Sequence, residues 1–281
     1  MRYVRKDILN QIYKKRNKWI HKGQFGKLVV ISGSKRHTGS PCFVGMAAYR
    51  AGCDLVYIIA PERAANVAAN FSPCLITEPL KGDKLTKKHV KKIISLIKEV
   101  RATSIAIGPG LWREKETFKA ILDIIKKVNL PMVIDADAIR AISKNKNILK
   151  GKRCVLTPHK NEFEEFLGFK IKTFRERIKF VKQEAKKWDC TILLKGHIDI
   201  ISNGKKLVLN KSGTPFMTKG GCGDTLTGIC GAFLARNVDK FTSACAAAYI
   251  NGKAGELASK KYGEGILPTD LIEFIPKIIK N

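Results

Sequence analysis

Short apolar runs alternate along this chain with longer stretches in which apolar positions recur every three to four residues. The short runs, LVVISGS (28–34), DLVYIIAP (54–61), SIAIGPG (104–110), PMVIDAD (131–137), RCVLTPH (153–159) and TILLKG (191–196), read as buried strands. Between them lie helical patterns: Gly39 to Gly52, a segment beginning near Glu62, KHVKKIISLIKEV, EKETFKAILDIIKKV and ERIKFVKQEAKKW. Strands that are apolar throughout, each followed by a helix, indicate a parallel sheet covered on both faces. After TILLKG the pattern changes, and IDIISNG and KLVLN, flanking Gly204, predict an antiparallel hairpin at the sheet edge. Two long helices rich in alanine and glycine follow, DTLTGICGAFLARN and KFTSACAAAYINGKAGELASKKYG, and a last helix is predicted after Pro268. No linker, low-complexity tract or internal repeat divides residues 1–281, so a single α/β/α domain is expected, with residues 1–20 as a helical extension.

Composition narrows this picture. With 281 residues, 44% of them hydrophobic, the chain can bury a large core and is neither disordered nor membrane-like. The N-terminal stretch lacks the uninterrupted apolar segment of a secretory signal, which predicts a cytoplasmic protein. Eight cysteines stand singly with no CxxC pair, so they read as reduced core residues rather than zinc ligands. The net charge of +29, from 53 Lys+Arg against 24 Asp+Glu, would attract polyanions. Lysines on the outer faces of amphipathic helices account for much of that excess, and the basic residues form no aromatic-interleaved stripe of the kind that binds single strands. A small anionic substrate fits better than specific nucleic-acid binding.

The candidate chemistry collects where strands end. SGSKRHTGS follows the first strand, GPG the strand ending at Ile107, DAD the run PMVI, TPHKNE the run RCVL, and KGH the run TILL. In an open α/β sheet these carboxyl ends form the ligand crevice. The late stretch GGCGDTLTG, Gly220 to Gly228, adds three glycines before Asp224. Such a run can turn backbone N–H groups toward an anion, and the helix beginning near Asp224 contributes its positive end. Asp224 then reads as a base beside bound phosphates, or alternatively as the N-cap of that helix. His159 is open to two roles, a substrate contact or the cap of a helix starting at Asn161. Asp137 reads as an N-cap, Asp135 as a group orienting a neighbour or water, and His37 and His197 as polar loop residues or ligands. Cys222 reads as a filler.

The ordered set HKGQFGKLVVISGSKRHTGSPCFVGMAAYRAGCDLVYI, AIGPGL, VIDADAI, LTPHKNEF, LLKGH and GGCGDTLTG resembles the ADP/ATP-dependent (S)-NAD(P)H-hydrate dehydratases of the ribokinase-like superfamily, from about His21 to the end. The resemblance implies a three-layer α/β/α fold with a mostly parallel sheet. It implies a repair reaction in which a nucleotide, ADP or alternatively ATP, phosphorylates the ring hydroxyl of (S)-NADHX or (S)-NADPHX, after which phosphate leaves. Carried onto this chain, Asp224 is the catalytic base, and Ser40, Gly110, His159 and Asp224 contact the hydrated dinucleotide. Ser40 departs from the alanine usual at its position. Lys195, Gly196, His197, Ile198, Asp199 and Gly223 line the nucleotide site, and Glu162 helps to hold magnesium through phosphates. The resemblance further implies a homotetramer and, with no epimerase domain ahead of the matched region, a separate NAD(P)HX epimerase as functional partner. The rival readings are a kinase of the same fold acting on a vitamin precursor such as hydroxyethylthiazole or pyridoxal, and a basic nucleic-acid-binding protein.

Overall fold

A computed structural model describes residues 2–280. Nine strands form one sheet: β1 (Lys27–Ile31), β2 (Leu55–Pro61), β3 (Ile76–Leu80), β4 (Ser104–Ile107), β5 (Met132–Ile134), β6 (Cys154–Leu156), β7 (Thr191–Leu194), β8 (Asp199–Ser202) and β9 (Leu207–Asn210). Their order is β3-β2-β1-β4-β5-β6-β7-β8-β9. Neighbours from β3 through β7 pair in parallel, whereas β7–β8 and β8–β9 are antiparallel. The carboxyl ends of the parallel strands, the start of β8 and the end of β9 therefore share one edge of the sheet.

Ten α-helices cover it: α1 (Ser40–Arg50), α2 (Glu62–Phe71), α3 (Val90–Glu99), α4 (Lys115–Lys127), α5 (Ala136–Ser143), α6 (Lys160–Leu167), α7 (Phe174–Lys187), α8 (Cys222–Ala235), α9 (Lys240–Tyr262) and α10 (Pro268–Ile279). The strand residues alternate between two cores. Leu28, Val30, Val56, Ile58, Val133 and Leu193 face a layer built by α1, α2, α8, α9 and α10. Val29, Ile31, Ile105, Ile134 and Leu156 face α3 to α7. Side chains on successive strand residues point to opposite faces, so an unbroken apolar run is what a doubly covered sheet requires.

The lysine-rich helices belong to the second layer. In α4 the buried residues Ala120, Ile121, Ile124 and Ile125 form one stripe, and Lys126 and Lys127 lie in the last turn, where cations complement the helix dipole. In α7 a Thr173–Glu176 capping box fixes the start. By contrast α8 and α9 are buried almost all round, and small residues make this possible: a Cβ on Gly228 would stand 2.1 Å from the Val44 carbonyl oxygen of α1. Seven of the eight cysteines are buried and all eight are free thiols, as the sequence predicted.

The apolar pattern misses β3, because its sequence ITEPL carries a glutamate and a proline. Proline is tolerated in a strand that pairs on one side only, and β3 pairs only with β2. Of the first twenty residues, Lys6–Gln11 forms a 3-10 helix, and Tyr3 forms a parallel bridge to Leu209. Among the described residues no helix is long and apolar enough to cross a membrane.

Candidate active site

A cavity of about 770 Å³ opens at the shared sheet edge. Its floor is laid by Asp135 after β5, His159 after β6 and Lys195 after β7. One wall is the Gly220–Asp224 turn, and the far wall is formed by Ser212, Gly213 and the α9 residues Asn251 and Gly252.

The glycine run ends in a turn that only glycine adopts readily. Gly221 has φ +101° and is the N-cap of α8, with no side-chain capping bond. The helix thus begins at Cys222, two residues earlier than the sequence pattern suggests, and Asp224 is not its cap. Asp224 sits instead in the first turn, where backbone N–H groups lack intrahelical partners. Asn251 braces that turn by accepting from the Thr225 hydroxyl at 2.7 Å and donating to the Cys222 carbonyl at 3.2 Å. Burial pushes the Asp224 carboxyl up to about 6; the like charge of Asp135 adds to this, while the Ser40 hydroxyl and the Lys195 ammonium oppose it. A carboxylate so placed is ionised at neutral pH yet more basic than a surface aspartate.

Lys195 is the cation of the floor. Its Nζ donates to Asp135 Oδ1 at 3.0 Å, and its side chain is 21% exposed. Desolvation pulls the ammonium pKa down, but Asp135 and Glu162 outweigh it and the net direction is upward. Lys195 is therefore charged, and it also faces the helix: a Cβ on Gly223 would lie 3.3 Å from its Nζ. Gly223 has room for an approaching group because it has none.

His159 caps α6. Its Nδ1 accepts from the backbone N–H groups of Asn161 (3.1 Å) and Glu162 (3.3 Å), and Glu162 Oε2 accepts from the His159 N–H at 3.0 Å. Burial, then Lys195 and Arg140, lower the imidazole pKa. A neutral ring with Nδ1 accepting carries its proton on Nε2, which lies 3.2 Å from Glu162 Oε1. The capping alternative is thus realised, with α6 starting at Lys160 rather than Asn161, and the ring still lines the cavity. Glu162 is buried, and that burial raises its carboxyl pKa against the pull of Lys195.

The segment after Lys195 divides. Gly196, His197 and Asp199 line the cavity, whereas Ile198, between them, packs its side chain on the core beneath α3 to α7. Asp199 is tied down: Oδ1 accepts from the Gly196 N–H at 3.0 Å and Oδ2 from Asn210 Nδ2 at 2.9 Å, and burial raises its carboxyl to about 6. It shapes the turn rather than presenting a free charge.

Ser40 and Gly110 meet beside Asp224, outside the lining of the cavity. Gly110 has φ +65°, and a Cβ there would come within 2.7 Å of His37 Cβ and 2.8 Å of Ser40 Oγ. Beyond them Trp112, with φ +80°, packs against the His37 ring, centroids 5.3 Å apart and planes tilted by 42°, and lies beneath the Arg36 guanidinium at 4.6 Å. Asp137 holds this loop by accepting from the Trp112 N–H at 2.9 Å. It lies in the first turn of α5 rather than at its cap, the position taken by Asp135. Asn251 is brought in from α9 and carried no signal in the sequence, whereas Trp112 and Thr227 lie beside or within the GPG and GGCGDTLTG motifs without any pattern that singled them out.

Among the described residues no group of three or more His, Cys, Asp or Glu side chains stands at metal-ligating spacing. Asp135 and Glu162 act on the same ammonium, so a divalent ion could be met here by one or two carboxylates. That donor set suits magnesium arriving on nucleotide phosphates, not a protein cage.

Comparison with known proteins gives this geometry a setting. The chain is 42% identical over 263 residues to the bifunctional NAD(P)H-hydrate repair enzyme Nnr of Pyrobaculum aerophilum, covering 92% of this chain and 52% of that protein. It thus spans about half the length of the bifunctional relatives it matches. The ADP-dependent (S)-NAD(P)H-hydrate dehydratase of Cenarchaeum symbiosum is 37% identical over 280 residues, 99% of this chain and 97% of that one. The crystal structure of ADP/ATP-dependent NAD(P)H-hydrate dehydratase from Bacillus subtilis, co-crystallised with ATP and Mg2+, superposes with a TM-score of 0.83 at 25% identity, covering 99% and 97% of the two chains. The sequence signature of the NAD(P)H-hydrate dehydratase family matches residues 28–277, from the first strand through the last helix, and so takes in every wall of the cavity. With the acid, the glycine turn and the strand-end lysine and histidine all inside that span, the chain belongs to the NAD(P)H-hydrate dehydratase family.

Proposed function

We propose that this protein converts (S)-NADHX and (S)-NADPHX back to NADH and NADPH at the expense of a nucleotide, with ADP going to AMP. The observation that carries the reading is the juxtaposition of Asp224, poised near pH 6, with the first turn of α8 and Lys195. The nucleotide phosphates lie along the Gly220–Gly223 turn, where unpaired N–H groups and the helix dipole favour anions. Lys195, Gly196, His197 and Gly223 form the nucleotide side; Ser40, Gly110 and His159 form the hydrate side.

Asp224 accepts the proton of the ring hydroxyl as that oxygen attacks the terminal phosphorus, and the bond to the nucleotide breaks. The ring nitrogen lone pair then expels phosphate, and loss of a proton from the neighbouring ring carbon restores the double bond. Phosphorylation matters because hydroxide is a poor leaving group and phosphate a good one. Glu162 is the residue that would hold Mg2+ through the phosphates, and the ion when bound would screen their charge. His159 and Glu162 fix each other, so the imidazole presents one edge to the substrate. An NAD(P)HX epimerase supplies the S form from the R hydrate, and the protein works as a homo-oligomer.

The test mixes chemically prepared hydrate with protein, Mg2+ and either ADP or ATP, following the return of reduced-nicotinamide absorbance. Recovery with ADP, and none without nucleotide, is expected. A stable phosphorylated vitamin precursor formed in place of NADH would move the protein to the kinase reading.

A further inference from the structure

Three elements close on one carboxylate that no part of the proposed chemistry uses. Asp135, at the end of β5, is 1% exposed. One of its oxygens accepts from Lys195 Nζ at 3.0 Å, and the other accepts from Thr227 Oγ1 at 2.7 Å. Thr227 is completely buried on α8, three residues beyond Asp224 and four beyond Gly223, hence on the same helical face. A buried threonine inside a helix ordinarily returns its hydroxyl to the carbonyl of the preceding turn. This one reaches across to the sheet instead. The backbone beyond Asp135 is also held in an unusual state, since Ala136 has φ +48°.

Lysine carries its charge on a flexible stem, so an ammonium has no fixed direction unless something anchors it. Here the anchor is Asp135, and Asp135 is itself anchored by Thr227 because both of its oxygens are engaged. The result sets Lys195 Nζ against the first turn of α8, beside Gly223. We infer that Thr227 and Asp135 are positioning residues which hold the Lys195 ammonium where charge grows on the transferred phosphoryl group. This rests on the proposed phosphorylation. It separates two things that a plain lysine contact would merge: ground-state attraction for the nucleotide, which any nearby ammonium supplies, and stabilisation of the transferring group, which needs the ammonium fixed.

The decisive variants are Thr227→Val, which keeps the shape and removes the donor, and Thr227→Ser, which keeps the donor. With saturating hydrate, kcat of Thr227→Val should fall at least tenfold while the nucleotide KM stays within about twofold, and Thr227→Ser should remain within about threefold of the parent on both. Thr227→Val retaining kcat within twofold, or Thr227→Ser falling as far as Thr227→Val, overturns the inference. Should Thr227→Val not fold, Asp135→Asn takes its place, with the same expected division between kcat and KM. An activity-independent reading comes from 15N NMR of the lysine ammonium groups. Lys195, half-buried and hydrogen-bonded to Asp135, gives a slowly exchanging signal, assigned by its loss in Lys195→Met, that persists in Thr227→Ser and disappears in Thr227→Val. If the parent protein turns over no hydrate but shows that pattern, the reaction assignment fails and the relay stands. If it turns over hydrate and Thr227→Val leaves both signal and kcat intact, the relay fails and the reaction stands.

Discussion

Replacing Asp224 by asparagine should make the protein inactive and more stable at once. Burial and the nearby Asp135 hold the Asp224 carboxyl at about 6, against 3.8 for the free group. Raising a folded-state acid by that amount means that ionising it opposes folding, by roughly 3 kcal/mol at full ionisation. The sign follows directly. Above pH 6 the whole penalty is present; between 6 and 3.8 it fades as the folded protein takes up the proton; below 3.8 both states are protonated and nothing remains. Asparagine has nearly the same shape and no charge to bury. Urea denaturation of Asp224→Asn should therefore show a gain of up to about 3 kcal/mol at pH 7.5, shrinking toward zero near pH 4. Removal of a general base costs about two to four orders of magnitude in rate, so hydrate turnover should fall by at least a hundredfold while ADP still binds in calorimetry. In the parent enzyme kcat/KM should rise with pH through about 6, as the base loses its proton. A variant that is no more stable than the parent at pH 7.5, or that keeps normal turnover, refutes the placement of this acid as a desolvated base. Natural active sites commonly sacrifice stability in this way.

Three further outcomes follow from the same geometry. Lys195→Met leaves Asp135 buried with one oxygen unpaired, which should cost roughly 3 kcal/mol of stability and weaken ADP; a loss under about 1 kcal/mol would mean that solvent already screens the pair. Gly110→Ala places a Cβ against His37 and Ser40 in a backbone conformation that only glycine adopts easily, so the KM for hydrate should rise at least about tenfold with ADP affinity unchanged; an unaltered KM would place the substrate elsewhere. His159→Asn should keep the α6 cap, while His159→Ala loses about 1 kcal/mol; if His159→Asn is also fully active, the imidazole serves only the helix.

The sequence by itself determined the sheet and its two covered faces. An uninterrupted run such as LVVI has nowhere to go but between two layers, and the lysine-backed stripes of α3, α4 and α7 have only one side to bury. It also placed the chemistry at strand ends, because polar residues directly after buried strands can lie only at the rim. Where local signals were mixed, in the proline-bearing β3 or in the glycine run that moves the α8 start back to Cys222, pattern alone misjudged the backbone. What only the tertiary structure decided is which rim residues touch. Thr227 and Asp135 are 92 residues apart, Lys195 and Asp135 are 60 apart, and no periodicity links them. Periodicity reports which face of an element is buried, not which element packs against it. Pairings between distant segments, and the desolvation that tunes Asp224, exist only once the sheet has brought its strand ends to a common edge.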